Sequence, residues 1–178
     1  MKAVVIYTSK YGTTEQYARW IAEELDAPLC EASSVKPSSL MDYDVVIYGG
    51  GLYAGGIIGS KLVAKNPCKA LIVFTVGLAT PETTDYSEIL KRAFTREQLS
   101  AMKLFHFQGG IDYGMLGVVY KAMMAVMKKQ IMKIPPTERS SDDRELLETY
   151  GGKVDFTNRA TIKPLVDYVR SLKTTWPQ

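Results

Sequence analysis

Residues 7–18 read YTSKYGTTEQYA, and the way this stretch joins its neighbours decides the fold. Before it runs Ala3-Val4-Val5-Ile6, unbroken and rich in β-branched side chains, which predicts a strand covered on both faces as in a parallel sheet. After it, Ala18, Ile21, Ala22 and Leu25 recur at i, i+3, i+4 and i+7, one face of an amphipathic helix. The stretch therefore links the carboxyl end of a buried strand to a helix amino terminus. Unpaired backbone N–H groups and the positive end of the helix dipole favour an anion there. Thr8, Ser9, Thr13 and Thr14 bring hydroxyls, Lys10 a cation, and Gly12 a backbone able to close around a ligand. Two readings are open: Thr13 or Thr14 as a simple helix cap, which needs one hydroxyl, or a phosphate cradle, which uses the set. The density of hydroxyls favours the cradle.

Outward from this loop, 178 residues with 46% hydrophobic content suffice for one core, so residues 1–178 are expected to form a single domain. Met1-Lys2 leads directly into the strand with no signal-peptide pattern, which predicts a cytoplasmic protein. A net charge of +3 is mild, and no basic stripe with interleaved aromatics appears, so a nucleic-acid partner is not expected. Cys30 and Cys68 lack metal-ligand or disulfide spacing and read as small buried hydrophobes, with no metal site expected. His106, within Leu104-Phe105-His106-Phe107, reads as a sheet residue with a satisfied imidazole rather than a catalytic base.

Further apolar runs recur at Asp44–Tyr48, Ala70–Phe74 and Lys103–Gln108, with Leu29–Ala32 a weaker candidate for the second strand, and helical patterns lie between them. This alternation predicts a doubly wound, five-stranded parallel α/β sheet. Glycine-containing loops are expected after each clear strand: Gly49–Gly56, Val76–Leu78 and Gly109–Asp112. In an open parallel sheet they would gather at the carboxyl edge. Ile162, Leu165, Val166, Val169 and Leu172 mark a final helix, capped by Asn158 or Thr161 and with Pro164 in its first turn.

Neither G-x-G-x-x-G nor G-x-x-x-x-G-K-[ST] occurs in the first loop. Its spacing does resemble the flavodoxin FMN-phosphate loop: Val5-Ile6-Tyr7, then Ser9, Gly12, Thr14, Ala18 and Ile21 in register. The stretch YGGGLYAGG, residues 48–56, resembles the flavodoxin loop whose aromatic stacks on the isoalloxazine, with Tyr53 in that position. In TVGLATPE, residues 75–82, the aromatic usual in electron-carrier flavodoxins is missing and Leu78 stands near its place. The resemblance implies a flavodoxin-like fold with FMN as cofactor. It implies that Thr8, Ser9, Lys10, Tyr11, Gly12, Thr13 and Thr14 surround the phosphate. Leu52, Tyr53, Ala54 and Gly55, with Val76, Gly77 and Leu78, would then surround the ring. No residue stands out as a general acid or base, and none is required of a protein whose flavin carries the chemistry.

Between the fifth strand and the last helix lie residues 112–156, an insertion that a minimal five-stranded unit does not need. GGIDYG, then an apolar-lysine helix, then VDFTNR, is similar to the flavodoxin-domain branch containing the menaquinone-dependent protoporphyrinogen dehydrogenases. Within the insertion, residues 115–134 form a methionine-rich helical pattern. At about 100° per residue, Lys121, Lys128, Lys129 and Lys133 occupy about 140° of the wheel and leave about 220° apolar. Three roles are open for it: packing against the sheet edge, a peripheral membrane or dimer contact, and a lid over the flavin. Two functions follow from the resemblance. One is an FMN-dependent oxidoreductase acting with a small-molecule or protein redox partner of quinone or porphyrinogen type, and the other is a non-catalytic electron carrier. The basic pI of about 8.7 and the missing third-loop aromatic favour the oxidoreductase.

Overall fold

The computed structural model describes residues 1–53, 55–81 and 84–175. Its strands are β1 (Ala3–Thr8), β2 (Leu29–Glu31), β3 (Val45–Tyr53), β4 (Gly56–Ile57), β5 (Leu71–Gly77), β6 (Lys103–Gln108), β7 (Gly110–Asp112) and β8 (Lys153–Asp155). Its helices are α1 (Thr13–Leu25), α2 (Lys61–Ala64), α3 (Ser87–Ala93), α4 (Arg96–Ala101), α5 (Val118–Ile131), α6 (Ser141–Thr149) and α7 (Lys163–Thr175). Five strands lie parallel in the order β2-β1-β3-β5-β6, and β4 folds back antiparallel on the end of β3. The expected doubly wound parallel sheet is therefore observed, with its order reversing at β1 and β3.

Side chains alternate across this sheet and divide the core into two layers. Val5, Ile47, Phe74 and Phe107 pack with Tyr17 and Ile21 of α1 and with Leu165 and Val169 of α7. Val4, Ile6, Val46, Tyr48 and Val73 face the opposite layer, where Leu40, Leu90, Phe94 and Met102 cover them. Cys30 and Cys68 pack at the margin of this second layer, half-buried, and burial pushes the Cys68 thiol up to about 11. α7 begins at Lys163, which sets Pro164 in its first turn, while the Asn158 carboxamide caps the preceding 3₁₀ turn by accepting the Ala160 N–H at 2.9 Å.

The expected glycine loop at 49–56 is corrected: β3 runs on through Gly49, Gly50 and Gly51 to Tyr53. The reason is close packing rather than a turn. A Cβ on Gly49 would fall 2.1 Å from the Phe74 ring, and one on Gly50 would fall 2.4 Å from Ile57 of the returning β4. Tyr53 thus ends a strand, paired with Gly56 across a tight turn that contains Gly55 at φ 75°. Val76 and Gly77 likewise belong to β5, and Gly110–Asp112 form β7 instead of a loop.

β7 and β8 form their own antiparallel ladder, Gly110 opposite Asp155 and Asp112 opposite Lys153, which closes the base of the inserted segment. Above that ladder Ile111, Tyr113, Leu116 and Met124 make a third apolar cluster, with Tyr11 and Leu78 packed against it from the carboxyl edge of the sheet. α6 starts at a capping box in which the Ser140 hydroxyl accepts the Asp143 N–H and the Asp143 carboxylate accepts the Ser140 N–H. The segment is folded over the strand ends, where it roofs the site described next.

Candidate functional site

The loop from Ser9 to Thr14 turns on Gly12, whose φ of 89° is a left-handed conformation that glycine takes without cost. The Ser9 Oγ accepts the Gly12 N–H at 3.0 Å and braces the turn. Gly12 is the N-cap of α1, with no side-chain cap, and the first residue whose N–H is taken by a helical bond is Gln16, to Gly12 O at 2.9 Å. The Thr13 and Thr14 hydroxyls are therefore not used as caps, and the first-turn N–H groups face the space in front of the helix without one. This removes the simple-cap reading. Thr8 plays a different part: it donates to the Tyr48 hydroxyl at 3.0 Å, which in turn donates to Ile58 O at 2.6 Å, and so ties β1 to the chain after β4.

In front of this loop lies a cavity of about 360 Å³, a size typical of small-molecule sites. Lys10, Tyr11, Thr13 and Thr14 line it from the first loop, Leu52 and Tyr53 from β3, and Val76, Gly77 and Leu78 from β5 and the residue after it. Three segments far apart in sequence meet on one wall. Thr8, Ser9, Gly12 and Gly55 support these segments from outside the cavity lining, and Ala54 lies outside the described residues. The β-strand ends approach closely because glycines let them: a Cβ on Gly77 would sit 2.9 Å from Leu52, and one on Gly109 2.7 Å from Val76.

The opposite wall comes from residues that the sequence reading did not single out. Tyr120, Met124, Met127 and Ile131 of α5 cover the cavity, Leu146 of α6 joins them, and Tyr86 and Ile89 close one side. Tyr120 stacks on Tyr53 with ring centroids 5.0 Å apart and planes 14° from parallel, and the Tyr11 ring lies tilted against Tyr120 at 6.0 Å. Burial, and then the neighbouring Tyr11 and Tyr53, raise the Tyr120 phenol above its ordinary value, so it stays protonated. The Lys10 ammonium lies 3.9 Å over the Tyr53 ring, a cation–π contact at the cavity rim, and Tyr53 raises its pKa further. Inside this apolar enclosure the Tyr11 hydroxyl is buried with no hydrogen-bond partner among the described residues.

His106 lies off the cavity lining and has the structural role expected of it. Its Nδ1 is hydrogen-bonded to the Thr75 hydroxyl at 2.5 Å, and its ring stacks on Tyr86 at 3.8 Å. Burial lowers its pKa and holds it neutral. A helical period alone marked α5; its inward-facing aromatic at position 120 was the available signal that this helix faces a site.

A parallel sheet of this order, with a ligand-sized cavity at the ends of β1, β3 and β5, defines a doubly wound α/β protein with its pocket at the switch point. Residues 4–139 match the flavodoxin domain family, and the chain belongs to that family. An uncharacterized protein of Methanocaldococcus jannaschii is 30% identical over 95 residues; the match spans 50% of this chain and 63% of that one, less than two thirds of the relative's length. A solved flavodoxin from the domain Archaea aligns over 61% of this chain and 83% of its own at 21% identity, with a TM-score of 0.46. Flavodoxin 1 of Bacillus cereus aligns over 61% and 84% at 19% identity, with a TM-score of 0.46. A flavoprotein of Lactobacillus acidophilus in complex with FMN aligns over 60% and 92% at 12% identity, with a TM-score of 0.41.

Proposed function

We propose that the cavity holds FMN and that the protein is an FMN-dependent oxidoreductase whose redox partner is a small, largely apolar molecule. The observation that carries this reading is the meeting of an uncapped, hydroxyl-bearing helix start with two aromatic rings across one apolar cavity. The residues fit the cofactor at both ends. Thr13, Thr14 and the free first-turn N–H groups suit a dianionic phosphate, with Lys10 at the rim. Tyr53 and Tyr120 suit a flat ring system, and the orphaned Tyr11 hydroxyl suits a polar atom on it.

Bound there, the flavin would supply the hydride or electron transfer. The chain's own part is to anchor, orient and shelter. Where the third loop offers only Leu78, Tyr120 of the inserted helix would supply a second aromatic surface beside Tyr53. A ring lying between Tyr53 and Tyr120 needs ~3.5 Å on each side, whereas the two centroids stand 5.0 Å apart. A ring held between them would require the two tyrosines to part. The methionines and Ile131 of α5 exclude water from the enclosure while adapting to an irregular partner.

A roofed, apolar enclosure supports a small quinone- or porphyrinogen-like partner over a protein that must touch an exposed flavin edge. The order of GGIDYG, lysine-rich helix and VDFTNR supports the same choice by resemblance to the protoporphyrinogen-dehydrogenase branch. The test is mass identification of the cofactor released by heat, followed by anaerobic photoreduction of the purified protein. FMN reduced directly by two electrons is the expected outcome; FAD alone, or reduction in two resolved one-electron steps, overturns the cofactor or the enzyme reading respectively.

A further inference from the structure

α5 is apolar on both of its sides. Its inner side covers the cavity with Tyr120, Met124, Met127 and Ile131. Its outer side carries Val118, Val119 and Val126 at 84%, 79% and 56% exposure, with Met115 at 66% just before the helix. At about 100° per residue, Val118, Ala122, Val126 and Val119 fall within one arc of about 100°, Lys129 lies in the same arc, and Lys121 borders it. A helix lying on a protein in water presents polar residues at this position. Here exposed valines and lysines share the face: Lys129 sits among the valines and Lys121 beside them.

The charge around the patch has one sign. Residues 115–134 contain no aspartate or glutamate. Lys128 is turned inward, its ammonium 4.1 Å over the Tyr150 ring, which leaves Lys121, Lys129 and Lys133 on the outside with no ion pair among the described residues. We propose that the outer face of α5 docks the protein on an anionic lipid surface, with Val118, Val119 and Val126 in the interface and Lys121, Lys129 and Lys133 at the phosphate level.

The charge pattern selects this occupant. A two-fold contact between copies would set the same lysines against each other with no acidic residue in the segment to neutralise them, which costs association energy. An anionic bilayer meets the valines with hydrocarbon and the lysines with counter-charge. None of the helices among the described residues is long and apolar enough to cross a membrane, so the contact is peripheral. Because α5 also roofs the cavity, docking sets that roof against the lipid. The proposal stands without the flavin reading.

Co-sedimentation of the full chain with vesicles of phosphatidylglycerol or of phosphatidylcholine tests it. The protein is expected to pellet with phosphatidylglycerol, to pellet much less with phosphatidylcholine, and to be released by molar salt. Val118→Ser with Val126→Ser, both on exposed positions and checked for an unchanged thermal transition, should weaken binding roughly tenfold or more. Lys121→Gln, Lys129→Gln and Lys133→Gln together should remove the preference for the anionic vesicle. No pelleting with phosphatidylglycerol, equal pelleting with both lipids, or a wild-type dimer in solution that the valine variant turns into a monomer each overturns the proposal.

Discussion

Tyr53, at the last position of β3, and Tyr120, in the first turn of α5, lie face to face with their ring centroids 5.0 Å apart. This contact joins the sheet edge to its roof and marks the plane into which a flavin ring would slide. Removing either ring takes away a stacking surface worth about 0.5–1.5 kcal/mol. Tyr120→Ala and Tyr53→Ala should therefore each weaken FMN and riboflavin alike, by roughly two- to tenfold. Fluorescence titration with both flavins checks this, and a loss confined to FMN contradicts it.

At the other end of the cavity, Thr14 is buried at the start of α1 and its hydroxyl is not used as a cap. Thr14→Ala should weaken FMN roughly tenfold or more, the value of a hydrogen bond to a charged group, and leave riboflavin nearly unchanged. Ser9→Ala acts indirectly, because Ser9 braces Gly12, and should cost less. Calorimetric titration of the two variants with the two flavins separates these effects. Equal losses for FMN and riboflavin would assign the loop a structural role only.

The glycine run of β3 predicts a stability effect that does not depend on any ligand. In Gly49→Ala the new methyl would meet the buried Phe74 ring at 2.1 Å, so the ring or the strand has to move. Overpacking of this kind costs about 1–3 kcal/mol. Urea unfolding should show a lower midpoint with an unchanged slope. Pairing Gly49→Ala with Phe74→Leu should cost less than the sum of the two single changes, and strict additivity refutes the proposed clash.

The first loop, α7 and the strands 71–74 and 103–108 were legible because each carries a local period or a dense cluster of one residue chemistry. The sequence pattern ends β3 too early because three consecutive glycines resemble a turn. Their cause is Phe74 and Ile57, partners visible only once the sheet is assembled. Tyr120 carries no local signal of its partner for a similar reason. On its own helix it is one apolar position among many, and only the fold brings it onto Tyr53. The wheel leaves α5 a wide apolar arc; the structure turns Tyr120, Met124, Met127 and Ile131 of that arc to a cavity and leaves Val119 and Val126 exposed, while the exposed Val118 lies among the lysines.

Alkaline pH offers an independent check on the packing. Burial pushes the Tyr48 phenol up to about 12 from an unfolded value of 10.0. A raised phenol pKa means that between these values the folded state keeps a proton the unfolded state has lost. The stability this group contributes is present in full below about pH 10 and is lost as pH rises toward 12. One such group gives a slope of up to about 1.4 kcal/mol per pH unit. Tyr113, likewise pushed up to about 12 by burial, adds in the same direction. Denaturant unfolding across this window should show a falling stability that is shallower in Tyr48→Phe, and an identical slope in the variant contradicts the assignment.

The central claim is that one FMN occupies the cavity between the Ser9–Thr14 loop, Tyr53 and α5. Stepwise addition of the apoprotein to FMN, followed by flavin fluorescence, tests it most directly, because two tyrosines stacked on the ring quench its emission. The account predicts quenching that saturates at one FMN per chain, with weaker quenching for riboflavin, which lacks the phosphate. Emission unchanged at every protein concentration, or riboflavin bound as tightly as FMN, would contradict it.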